Sequence, residues 1–396
     1  KVAKKKAARK RSSSTERLEG PVLWSFKAGT EAAFGIYIDE HLCWVGQEAG
    51  FVYALTHDGK ISRHYKLPQG VMCMVMDERW LYAGCNDGNV YDLRSERPYV
   101  AYHIDKSVQI YWMDLFQGNL AVSDDDAYLT VMDFEGERLW KKGGRGSSGW
   151  MIRCDADGLY HGHDEQVIKY DWGGKQLWKA KTRGSVLFGW QEQHAAYAGT
   201  TFGIDVIDKQ SGKRLAFCEL SGGVPANAAS PDGRLIFAGS DDMIYAFDSK
   251  GKELWRLGTG GCGTPLSMQY FDGKLYFVTG RGFLGCMDLD KDAIADALRG
   301  EVPKPKRYTA PKQQRATTVS AKLSTATADE GVVVECFYEG STLRVRPVSD
   351  GYDASWHVQF PRNLREDGKR FVVEELVAAT QGGFYRALGK ISELDE

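Results

Sequence analysis

Leu235-Ile236-Phe237-Ala238-Gly239, the polar turn Ser240-Asp241-Asp242, the apolar stretch Met243–Asp248 and then Gly251-Lys252-Glu253-Leu254-Trp255 form the unit that decides the fold. A second clear copy is Leu159-Tyr160-His161-Gly162, running to Asp171 and Gly174-Lys175-Gln176-Leu177-Trp178. Further copies start at Leu42, Leu81, Leu120, Ala196 and Leu275, so seven copies follow one another at spacings of 37 to 40 residues. Upstream of Leu235 lie a glycine-rich connector at 221–225, an inner strand near Ala226–Ala229 and the turn Ser230-Pro231-Asp232-Gly233. Each unit therefore holds four short strands separated by Pro, Asp and Gly, residues that preset or permit turn dihedrals. A period near 40 with four strands per copy is the pattern of an all-β, seven-bladed β-propeller.

The outer strand carries Trp140, Trp178 and Trp255, with Ala216 in one copy. A ring there fills the wedge between neighbouring blades, and we read it as core rather than as a stacking platform. The last repeat lacks this strand: after Met287-Asp288-Leu289 the residues from Asp290 to Gly300 read as a capped helix. The missing Leu-Trp stands before the first repeat, at Leu23-Trp24. Residues 21–27 are therefore expected to complete the last blade and close the ring, which removes open sheet edges.

The chain of 396 residues carries a net charge of −2, so nothing draws it globally to nucleic acid. No apolar run reaches the ~18 residues of a membrane span. Its eight cysteines, Cys43, Cys73, Cys85, Cys154, Cys218, Cys262, Cys286 and Cys336, show neither adjacent nor Cys-x-x-Cys spacing. Free buried thiols in a reducing cytoplasm fit that pattern. The expected organisation is a basic disordered tail over 1–20, the propeller over 21–300, a linker over 301–329 and a small α+β module over 330–396. In the module, 332–338 and 342–348 read as a hairpin and 356–360 as a third strand. Phe371, Val372, Leu376 and Ala379 have helical spacing, which predicts a helix over 369–380.

The Leu-Tyr-x-Gly…Asp-x-x-x-Gly-Lys-x-Leu-Trp phrase over residues 21–290 resembles the bacterial quinoprotein-like, and more broadly the WD-repeat-like, propellers. The resemblance implies that catalytic members hold a quinone over the axis, with a vicinal disulfide packed on it, an Asp base and oxygen ligands for Ca²⁺. This chain has no Cys-Cys pair, seven repeats where those members typically have eight, and no secretory signal in its opening residues. No cofactor, no metal and no catalytic residue are expected. The chain is read as not an enzyme.

In such a ring the turns between second and third strands share one face with the blade-to-blade connectors. That face should present Asp87, Asp124, Asp125, Asp126, Arg145, His163, Asp164, Arg183, Asp241, Asp242 and Arg281, a mixture of charges suited to protein docking. His161 and His163 alternate on one strand and supply two of the three or four ligands that a zinc needs, but strand and turn roles account for both. The Asp124–Asp126 triple lacks the spacing of an EF-hand loop, and the glycine-rich stretch 142–149 lacks a P-loop ending.

The terminal module is faintly similar to WGR domains in its order of features, from Trp356 to Gly383-Phe384-Tyr385-Arg386. The name-giving motif reads Trp356-His357-Val358 here. The favoured reading is a cytoplasmic scaffold within a multiprotein assembly. By analogy with similar propellers, its partners would be proteins such as a MoxR-type ATPase or a von Willebrand A protein. The alternative is nucleic-acid binding through Lys4, Lys5, Lys6, Arg9, Lys10 and Arg11 together with Arg344, Arg346, Arg362 and Arg365.

Overall fold

The computed structural model describes residues 17–95, 97–144, 146, 149–311, 316–319 and 322–395. Among them, seven sheets are each built on four antiparallel strands in the order expected of propeller blades. Their inner strands are Ala33–Ile38, Val71–Asp77, Ile110–Phe116, Met151–Asp155, Val186–Gln191, Ala226–Ala229 and Pro265–Phe271, which head blades 1 to 7. Each inner strand packs on the next, and that of blade 7 packs on that of blade 1, so the ring is closed. Burial is greatest in the second strands and least at the perimeter. Cys43–Gln47 and Trp80–Cys85 are buried throughout, whereas the outer strands Arg138–Gly143 and Gln176–Lys181 are largely exposed. Strands covered on both faces read as near-continuous apolar runs for that reason.

Blade 7 is completed by the N-terminal strand Val22–Lys27, antiparallel to Phe283–Asp288, as the misplaced Leu-Trp implied. The helix Lys291–Leu298 follows, capped by the Asp290 carboxylate on the amides of Asp292 and Ala293, and buries Ile294 and Ala297. The outer-strand tryptophans join neighbouring blades through one repeated contact. Trp24, Trp140 and Trp178 donate Nε1 to the carbonyls of His57, Trp172 and Lys209 in the next blade's outer turn. The ring lies on a glycine there: a Cβ on Gly212, whose φ is +70°, would sit 2.8 Å from Trp178.

The segment read as a linker runs against the ring. Lys306–Thr309 adds a parallel fifth strand to blade 7 and Thr317–Thr318 adds one to blade 1. The chain then enters a six-stranded sheet that holds Val332–Glu339, Thr342–Pro347, Arg370–Ala378 and Phe384–Leu394. The helix expected over 369–380 is therefore corrected to the strand Arg370–Ala378. A bulge between Val373 and Glu375 interrupts strict alternation, so buried Phe371, Val373 and Leu376 mimic a helical period.

Candidate docking face at the ring axis

Five inner strands begin with the same irregularity. Their pairing registers skip at Phe34, Met72, Tyr111, Leu187 and Leu266, each the second residue of its strand. A bulge inserts one unpaired residue and re-aims its side chain. These five, with Trp150 and Pro225 from the two blades without the skip, line one axial cavity of about 240 Å³, completed by Trp112 and Phe188. Every blade thus contributes an apolar residue to a single mouth. Tyr111 and Trp150 stack at 4.1 Å between ring centres.

Beneath the mouth, Arg153 is buried, lies 5.1 Å from the Trp112 ring and 4.8 Å from that of Trp190, and donates to the Gly189 carbonyl. Asp114 accepts from the amides of Leu115 and Cys154. Burial pushes its carboxyl up to about 6, against the lowering pull of Arg153.

The mouth opens among the turns that the sequence singled out, and most of their charges brace the turns. Asp87 accepts from the Tyr91 hydroxyl at 2.6 Å and the Asn89 amide at 3.1 Å. Asp124 is buried and accepts from the amides of Asp126 and Tyr128, while Asp125 accepts from that of Gln109. Asp242 takes the Thr264 hydroxyl and an ion pair from Arg281. Arg183 lies over the Phe217 ring at 4.3 Å. Asp126 and Asp241 are exposed, and no group among the described residues engages their carboxylates. Arg145 lies outside the described residues, as do Lys4, Lys5, Lys6, Arg9, Lys10 and Arg11.

His161 and His163 stand with ring centres 4.8 Å apart. His161 Nε2 pairs with the Ser123 hydroxyl, and burial lowers its pKa to about 3. The nitrogens of His163 face Asp164 and Gln166. The apolar mouth does not fit an acidic quinone either: its lining offers only the Tyr111 hydroxyl and indole N–H groups.

The opposite face of blades 2 and 3 is covered by the terminal sheet. Arg386, fully buried, pairs with Asp77 and lies over Trp80; Phe384 stacks on Phe134 at 4.0 Å. Gln359 bridges Tyr82 and Tyr102. Of the four arginines read as a basic patch, two belong to this junction and two are engaged within the terminal sheet, so they do not form a free patch. Arg344 pairs with Glu135 and Arg362 with Glu137, Arg346 pairs with Glu335 inside the sheet, and Arg365 donates to the Phe360 and Leu343 carbonyls. Burial lowers the Arg365 pKa to about 10.

The axial residues escaped the sequence reading because each is one apolar side chain after a connector, distinguished only by a register skip. Their recurrence once per repeat was the available signal.

A family model described as outer membrane protein assembly factor BamB matches residues 163–334. No curated protein matches the sequence. Among solved structures, the WD40 β-propeller domain of Doa1 is similar over 70% of this chain and 99% of its own, at 13% identity and a TM-score of 0.60. The computationally designed Ika8 protein is similar over 68% of this chain and 100% of its own, at 14% identity and a TM-score of 0.54. The fold is a quinoprotein-like, WD-like propeller. No helix among the described residues is long and apolar enough to cross a membrane.

Proposed function

We propose that this chain is a non-enzymatic scaffold that docks a protein partner on the face around the axial mouth. The observation that carries the reading is the single apolar cavity to which all seven blades contribute. A ring whose opposite face is covered over blades 2 and 3 by the chain's own terminal sheet has the mouth face available for a second protein. The match to an assembly factor supports a role inside a larger complex. MoxR-type ATPases and von Willebrand A proteins are partners suggested by the resemblance of the repeats alone. Eight unpaired buried cysteines support a reducing, cytoplasmic setting, whereas the BamB-like match favours the cell envelope; fractionation of the native host separates the two.

The test is affinity capture from the native host with the wild-type chain and with Leu187→Glu, at low and high salt, read by mass spectrometry. A stoichiometric protein captured by the wild type and lost with Leu187→Glu is the expected result. A partner indifferent to Leu187→Glu places docking elsewhere. Nucleic acid recovered at low salt and lost at high salt instead favours binding through the basic N-terminal run.

A further inference from the structure

We propose that the axial mouth is a socket for one aromatic side chain, delivered by a partner segment that is basic on either side of it. This deepens the docking reading and rests on it. The cavity, about 240 Å³, has the volume of about eight waters and lies below the ~300–1,000 Å³ of small-molecule sites, so it suits a side chain better than a cofactor. Its wall is apolar and partly aromatic, with the Tyr111–Trp150 stack at one side. Offset and edge-on ring contacts favour an aromatic guest there.

The rim supplies the charge preference. Among the described residues of the turns and connectors on this face, Glu31, Glu48, Asp126 and Asp241 are exposed, against exposed Lys106 and Arg183, while Arg281 is already paired with Asp242. Complementary charge at a rim steers association and selects partners, and salt weakens it.

The experiment uses the full chain and acetylated, amidated pentapeptides carrying 5-fluorotryptophan, followed by ¹⁹F NMR. Lys-Lys-Trp-Lys-Lys should broaden and shift on titration to about 1 mM protein, and Glu-Glu-Trp-Glu-Glu should bind about tenfold more weakly. Leu187→Glu and, separately, Phe34→Ser should each weaken the basic peptide by about tenfold or more with an unchanged thermal midpoint. Asp126→Asn combined with Asp241→Asn should weaken it by about threefold, less so at high salt. Equal binding of both peptides overturns the charge preference. Binding indifferent to both mouth variants, or no binding of the basic peptide, overturns the socket. If neither peptide binds while Leu187→Glu still loses the native partner, the docking face stands and the single-side-chain socket falls. Loss of neither peptide nor partner removes both readings.

Discussion

The two faces of this ring treat apolar surface differently. Blades 2 and 3 present Trp80, Tyr82 and Tyr102 from their strands and Phe134 from a turn, and the terminal sheet covers them with Phe384, Gln359 and Arg386. At the axis, Phe34, Tyr111, Trp150 and Leu187 form a comparable collection that nothing in the described chain covers. The covered face is joined by a buried ion pair, so its partner is specified by charge as well as by shape. The open face has its charge at the rim, where water reaches it. Apolar surface on the terminal-sheet side is thus closed over by the chain's own terminus, and the proposed docking concerns the same kind of surface without a cover.

That contrast can be broken most forcefully at Arg386. Arg386→Ala leaves Asp77 buried and uncompensated, which should cost about 3–5 kcal/mol and release the terminal sheet. Denaturant unfolding and limited proteolysis report both effects. The double variant Asp77→Asn/Arg386→Met should recover part of the loss, because it removes both charges at once. If Arg386→Ala were neutral, the junction would not be the specified interface described here.

A second, intermediate effect lies beneath the mouth. Asp114 is 7% exposed and its pKa is raised from 3.8 to about 6 by burial. Folding therefore favours its protonated form, and its contribution to stability declines as pH rises through that interval and stays lower above it. By linkage the decline is about 2 kcal/mol between pH 4 and pH 7. Asp114→Asn should lack this component, so the stability gap between wild type and variant should change by about that amount across the interval. A gap independent of pH would mean that Asp114 titrates as an exposed carboxyl.

The smallest effect is expected at the mouth itself. Leu187→Ser removes a partly exposed side chain and should change stability by only about 0.5 kcal/mol, while weakening partner binding strongly. A large loss of stability would show that the mouth is core, and the comparison between the two faces would collapse.

The ring was legible because its signals repeat: the Leu-Tyr-x-Gly phrase, the turn residues and the displaced Leu23-Trp24 each reappear at a fixed interval. The features that were not legible depend on single-residue register. The bulge at Glu374 made Arg370–Ala378 look helical, and the bulges at Phe34, Met72, Tyr111, Leu187 and Leu266 gave no composition cue. Charge was misleading in the same way. Asp87 and Asp124 sit where a docking residue would, yet their oxygens hold the turns together, and Arg344 and Arg362 complete a junction that spans more than 200 residues of sequence.

The closing strand has a consequence in time. Val22–Lys27 is made before every other strand of the ring, and its partner Phe283–Asp288 only after every other blade. At about 5–20 residues per second, the roughly 260 intervening residues take about 13–50 s to emerge. Throughout that interval a strand bearing Leu23, Trp24 and Phe26 has no sheet to join, and the growing chain carries an open edge at each end. The birth of this molecule is therefore its most aggregation-prone moment, and its yield in a cell depends on how well that one strand is sheltered until the last blade arrives.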